Sequence, residues 1–138
     1  MLSQFFFYGA LCHNGTYFKT HSGSAFSLQK AYTYGTLYEG KHGYAYLILD
    51  IHKTKKVYGE IFMFQNEEVF KKLDSLEGFI DRNNPSNLYE RKKIISYTID
   101  HNQKYETWAY LCPPHLEKNI IENCVLIQSG RWEKRPRL

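Results

Sequence analysis

The chain has 138 residues, 43% apolar and 23% charged, which fits a single globular domain over residues 1–138 and argues against disorder. The formal net charge is +4, and most Lys and Arg are scattered, so no nucleic-acid partner is expected. Three widely spaced cysteines (Cys12, Cys112, Cys124), no apolar run of membrane-spanning length and no basic leader ahead of Phe5 point to a reduced, cytoplasmic protein with no membrane segment.

Residues 5–8 are apolar and stop at Gly9, as a first strand would. Residues 31–38 and 44–51 are rich in aromatic and β-branched side chains and predict two more. Lys53, Lys55 and Lys56 then mark a hairpin tip, and residues 57–64 a fourth strand with Gly59 inside it. A helix follows. Asn66 is its expected cap, Glu67 and Glu68 suit the positive end of its dipole, and Val69, Phe70, Leu73 and Leu76 recur at helical spacing. Residues 88–100 and 105–111 predict two further strands joined by a short polar turn at 101–104. A weaker helix is expected over 116–123, after Pro113-Pro114, and Arg131, Lys134, Arg135 and Arg137 form a basic, solvated tail. Six strands with short connections and one main helix give an α+β fold, with a mixed or antiparallel sheet curled toward a barrel.

On a helical wheel begun at Val69, Leu76 falls near about −20°, Leu73 near about 40°, Glu77 near about 80° and Phe70 near about 100°. Glu77 therefore lies inside the apolar stripe, and Asp74 at its edge. A carboxylate on a core face is costly unless paired or protonated, and function is one reason to keep it. The plainer reading ends the helix at Leu76 and turns Glu77 to solvent before Gly78. For Asp74 the plainer reading is a solvated side chain. Glu60, in a strand after Gly59, is the second choice for a pocket carboxylate, and Tyr89, Trp108 and Tyr110 are candidate walls.

The six histidines form no HxH, HExxH or Cys/His cluster, so no metal site is expected. Cys12 and His13 are adjacent, so in an extended segment they point apart rather than pairing as nucleophile and base. No GxSxG, P-loop or GxGxxG is present.

Several short segments occur in an order that resembles one family. Phe6-Phe7-Tyr8-Gly9-Ala10-Leu11 is similar to the Tyr-Gly-Thr/Ser-Leu signature of the γ-glutamylcyclotransferase-like (AIG2-like) proteins. Tyr34-Gly35-Thr36-Leu37-Tyr38, Gly43-Tyr44, Val57-Tyr58-Gly59-Glu60-Ile61-Phe62, Leu73-Asp74-Ser75-Leu76-Glu77-Gly78-Phe79, Tyr89-Glu90-Arg91, Ala109-Tyr110 and Ser129-Gly130-Arg131-Trp132 follow in the family's order. Two positions depart: Ala10 stands where Thr or Ser is usual, and Ala45 where a Pro often follows the bend.

The resemblance implies a small α+β fold around a mixed β-barrel. It also implies an enzyme that releases 5-oxoproline from a small-molecule γ-glutamyl substrate. Glu77 takes the position of the catalytic acid/base, and Tyr8, Gly9, Ala10 and Leu11 form the substrate loop. One carboxylate within reach of two nitrogens can take a proton from one and deliver it to the other, and desolvation would move its pKa toward neutrality. Successive N–H groups at Gly9, Ala10 and Leu11 could cradle a carboxylate whatever the side chain at position 10. No cofactor is expected for an intramolecular cyclisation. A non-catalytic binding module on the same scaffold is the alternative. The oligomeric state and the amine on the far side of the γ-glutamyl bond are not readable.

Overall fold

A computed structural model describes residues 3–9, 25–65 and 67–134, with the side chains of 25–28 set aside. Its strands are β1 (Ser3–Phe7), β2 (Ala25–Glu39), β3 (Ala45–Leu49), β4 (Lys56–Phe64), β5 (Glu90–Thr98), β6 (Lys104–Leu111) and β7 (Val125–Leu126). Two α-helices, α1 (Glu68–Glu77) and α2 (Glu117–Asn123), accompany them.

The strands close on themselves. The order runs β2-β4-β1-β6-β5, and β5 pairs back onto β2 through Ala31↔Thr98 and Tyr32↔Tyr97. Closure removes the exposed sheet edge that a five-stranded open sheet would present. β1 is parallel to β6 at Phe5↔Trp108, while its other neighbour, β4, is antiparallel. The barrel is therefore mixed, as expected. The far half of β2 leaves the barrel and carries β3 on one side and β7 on the other.

Alternation along β1 explains its unbroken apolar run. Phe6 and Tyr8 enter the barrel core with Ala31, Leu37, Leu47, Val57 and Ile61. Phe5 and Phe7 point to the opposite face, where Val69 and Leu73 of α1 cover them beside Phe62, Phe64 and Tyr110. A strand buried on both faces has no polar positions to alternate with.

The elements match their sequence expectations with shifts at the ends. β2 begins earlier, at Ala25, because its first part pairs with β4. β7 adds a short seventh strand. The helix starts one residue later than its acidic run suggests: Glu67 is the cap residue and makes no side-chain capping bond, and Glu68 alone is acidic in the first turn. The proposed cap, Asn66, lies outside the described residues.

Candidate active site

The C-terminus of α1 builds the site. The helix runs through Glu77 rather than stopping at Leu76 and closes on Gly78, whose φ of 64° lies in the left-handed region. The Gly78 N–H reaches back to the Asp74 and Ser75 carbonyls, and the Phe79 N–H donates to the Asp74 carbonyl at 2.9 Å. This is a Schellman-type ending, which favours glycine. A Cβ at Gly78 would also meet Leu88 at 2.8 Å, so the 78–90 loop packs directly on the helix end.

Glu77 is thereby kept on the inner face, half-buried. Desolvation raises its carboxyl pKa to about 7. Its charge in turn helps raise the phenol pKa of Tyr8, Tyr46, Tyr89 and Tyr110, which places these four rings around it. Burial is the larger cause in each. Tyr46 and Tyr89 stack at 5.1 Å between centroids.

Three of those phenols direct their single O–H proton away from Glu77. Tyr8 donates to the Tyr110 carbonyl, Tyr89 to the Ala45 carbonyl at 2.7 Å, and Tyr110 to Asp74 Oδ1 at 2.7 Å. A hydroxyl has one proton to give. Among the described residues no hydrogen bond or ion pair reaches the Glu77 carboxylate. A desolvated carboxylate with no donor is what pushes its proton affinity up.

Asp74, one turn earlier, is a correction to the solvated reading. Its Oδ1 accepts from Arg91 Nε at 2.8 Å as well as from Tyr110. The Arg91 guanidinium lies over Phe70, Phe79 and Trp108, at 4.7, 5.1 and 4.8 Å from the ring centroids. The Arg91–Asp74–Tyr110 chain thus ties α1 to β5 and β6. The Tyr110 carbonyl then receives the Tyr8 hydroxyl. Trp108 belongs to this clamp, not to the Glu77 wall.

Gly9 follows β1, and a Cβ there would meet the Ala45 Cβ at 2.9 Å. The close approach that requires glycine is therefore to β3, at the strand start whose carbonyl receives Tyr89. Ala10, Leu11 and Cys12 lie outside the described residues. Glu60 sits in β4, opposite Lys30 of β2 and Phe7 of β1. Cys112 is a free, buried thiol whose pKa burial pushes up to about 12, which disfavours the thiolate. Cys124 is also free. Tyr46 is not singled out in the sequence, and Arg91 stands there only within the Tyr89-Glu90-Arg91 segment, with no role. Both act through contacts between elements that no local pattern reveals: Tyr46 of β3 with Tyr89, and Arg91 of β5 with Asp74 of α1.

A model of γ-glutamyl cyclotransferase, AIG2-like proteins matches residues 5–134. The chain belongs to this family. A relative from Halalkalibacterium halodurans, provisionally named a γ-glutamylcyclotransferase, is 34% identical over 125 residues, spanning 90% of this chain and 88% of that protein. Among solved structures, YkqA from Bacillus subtilis superposes with a TM-score of 0.69 at 22% identity, over 97% of this chain and 40% of that one. This chain thus spans well under half of YkqA. An AIG2-like protein from Mus musculus gives 0.64 at 20% identity, over 80% and 76% of the two chains. These likenesses extend the family assignment to the barrel with its single main helix. Among the described residues no helix is long and apolar enough to cross a membrane.

Proposed function

We propose that this chain is a γ-glutamyl cyclotransferase acting on a small γ-glutamyl compound, with Glu77 as its acid/base. Family membership and the name of the Halalkalibacterium halodurans relative support the activity. The observation that carries the role of Glu77 is its carboxyl, half-buried, without a donor among the described residues and raised to about 7.

The reaction moves two protons from the attacking nitrogen to the departing one. The α-ammonium of the γ-glutamyl group gives a proton to Glu77. The freed amine attacks the γ-carbonyl, and a C–N bond forms to close the five-membered lactam. The original amide C–N bond breaks as the proton held by Glu77 passes to the departing nitrogen, and the second proton, shed by the attacking nitrogen as it becomes the lactam N–H, follows by way of Glu77 so that the amine leaves as an ammonium. The products are 5-oxoproline and a free amine, with no net proton change at Glu77. A group with a pKa near the working pH serves both halves of this exchange. Both reacting groups belong to one molecule, so the enzyme's further task is to hold the folded rotamer. That chemistry calls for no redox or metal cofactor.

The substrate's α-carboxylate is assigned to the turn after β1, at Tyr8, Gly9, Ala10 and Leu11, where backbone N–H groups would receive it. The Tyr46–Tyr89 stack offers an apolar wall beside Glu77. A panel of γ-glutamyl-amino acids and γ-glutamyl-amines, assayed for 5-oxoproline, tests the reading. Release from at least one compound is expected. Binding of γ-glutamyl compounds with no 5-oxoproline at any pH between 6 and 9 would make the chain a binding module instead.

A further inference from the structure

A lysine-rich turn and a turn that ends at Arg131, far apart in sequence, meet on the side of β2 that carries β4 and β7. The first is the β3–β4 turn. Asp50 accepts from the N–H groups of His52 and Thr54 at 2.9 Å each, from the Lys55 N–H at 3.1 Å, and from the Thr54 hydroxyl at 2.6 Å. These bonds hold its carboxyl well below the usual carboxylate range. They also commit Asp50 to the turn that presents Lys53, Lys55 and Lys56.

The second turn follows β7. The Ile127 N–H donates to the Leu37 carbonyl at 2.8 Å, and the Tyr58 N–H donates to the Gly130 carbonyl at 2.8 Å. The 127–130 turn is thus fastened to both β2 and β4. Arg131, expected in a solvated tail, instead lies over the Tyr58 ring at 3.9 Å. Between the two turns, along β2 at Gly35, Thr36 and Leu37, is a cleft of about 370 Å³. Its walls include Lys55, Lys56, Tyr58, Gln128 and Ser129, and no Asp or Glu is among the described residues that line it.

The cations here are held by rings. Lys56 Nζ is 4.3 Å from the Tyr32 centroid and Lys53 Nζ is 6.0 Å from that of Tyr34. Tyr32 packs against Tyr34 and Tyr58 at 5.7 and 6.2 Å, so these contacts share one aromatic floor. Each cation–ring contact restricts a long side chain. Gathering like charges in one place costs repulsion, which an anion relieves. Two acids adjoin the cleft: Asp50, whose carboxylate is engaged by Thr54 and the Lys55 N–H, and Glu133, which meets Arg131 only at 3.9 Å.

We propose that this cleft is a second ligand site, for small molecules bearing a phosphate-type dianion. It shares no residue with the Glu77 group. A phosphate offers three acceptor oxygens and up to two charges, so it can engage Lys55, Lys56 and the Gln128–Ser129 turn together. The cleft's volume is at the lower end of small-molecule sites, about 300–1,000 Å³.

The test titrates inorganic pyrophosphate into the full chain by calorimetry, with citrate as the carboxylate comparator. Lys55→Gln/Lys56→Gln probes the site, Lys55→Gln alone guards against a folding defect, and Lys71→Gln/Lys72→Gln on the exposed side of α1 is the control. Saturable one-to-one binding is expected, weakened about tenfold or more in the site variants and unchanged in the control, since a charge-assisted bond contributes about 1.5–3 kcal/mol. Release of 5-oxoproline by the site variants should match wild type. Equal weakening in site and control variants, or no saturation below about 10 mM, overturns the proposal. So does citrate binding more tightly than pyrophosphate, or an oligonucleotide displacing it at lower concentration. Loss of turnover in the site variants would contradict the separateness of the two sites.

Discussion

Glu77 and Glu90 stand at the two ends of the same loop, and they are treated in opposite ways. Glu90 is 1% exposed. Its Oε2 accepts from the Asn83 N–H at 2.9 Å and its Oε1 from Asn87 Nδ2 at 3.0 Å. Asn87 in turn donates to the Asp81 carbonyl and accepts from the Ile80 N–H. That carboxylate organises the loop from within. Glu77 is also drawn out of water, yet three of the four phenols around it spend their protons on Tyr110, Ala45 and Asp74. Burial alone does not distinguish a structural carboxylate from a chemical one. The supply of donors does.

The largest expected effect breaks the comparison at Glu77. Glu77→Gln should lower kcat by roughly 10²–10⁴-fold, the range for removing a general acid/base. Substrate affinity should change little, because the α-carboxylate is assigned to the turn after β1. Turnover of 5-oxoproline formation and a binding isotherm on the same preparation check this.

The second breaks it at Glu90. Glu90→Ala leaves the Asn83 N–H and the buried Asn87 amide without their acceptor; a buried orphan costs about 1–3 kcal/mol, and the cavity left by so buried a side chain adds to it. A denaturant melt should therefore show a loss of several kcal/mol. Turnover of the folded fraction should fall far less than in Glu77→Gln. A Glu90→Ala protein as stable as wild type would undo the structural assignment.

The third sharpens the comparison through pH. The Glu77 carboxyl is raised from 4.5 to about 7 on folding. Between those values the unfolded chain has released its proton and the folded chain still holds it. Stability from this group therefore falls as pH rises through that window and stays low above it. Glu77→Gln removes the penalty, so the variant should match wild type below about pH 4.5 and exceed it at pH 8, by at most about 3 kcal/mol at 1.36 kcal/mol per pKa unit. Melts of both proteins across pH 4–8 measure the difference.

The smallest effect concerns the clamp behind the site. Arg91→Met removes the Asp74 partner while keeping bulk against Phe70, Phe79 and Trp108. The pair is 20% and 22% exposed, so the loss should be about 1–3 kcal/mol, below the 3–5 kcal/mol of a fully buried pair. Arg91→Lys should recover part of it. The pH profile of turnover should keep its midpoint, because Arg91 acts on Asp74 and not on Glu77.

Much of this was legible because local pattern and tertiary role agree. Phe5, Phe6, Phe7 and Tyr8 read as a strand since both faces of β1 are covered. Glu77 read as inward-facing because the helix wheel does not depend on what packs against it. The partner of Asp74 was not legible: Arg91 reaches it from β5, across 17 positions of sequence, and helical phase says nothing about that approach. Tyr46 was missed for the same reason, since its stacking partner is Tyr89. The first part of β2 and the two-residue β7 carry too few apolar positions to stand out; pairing with β4 and β2 makes them strands. Arg131 reads as tail by sequence because its ring partner, Tyr58, lies far off in β4.

The most direct test is the titration of Glu77 itself. Side-chain carboxyl ¹³C shifts of the folded wild-type protein, assigned by their loss in Glu77→Gln, should give a midpoint at about 7. A midpoint in the ordinary glutamate range, about 4.3, would mean that the carboxylate is solvated or paired. It could not then be the unpaired proton carrier on which the account depends.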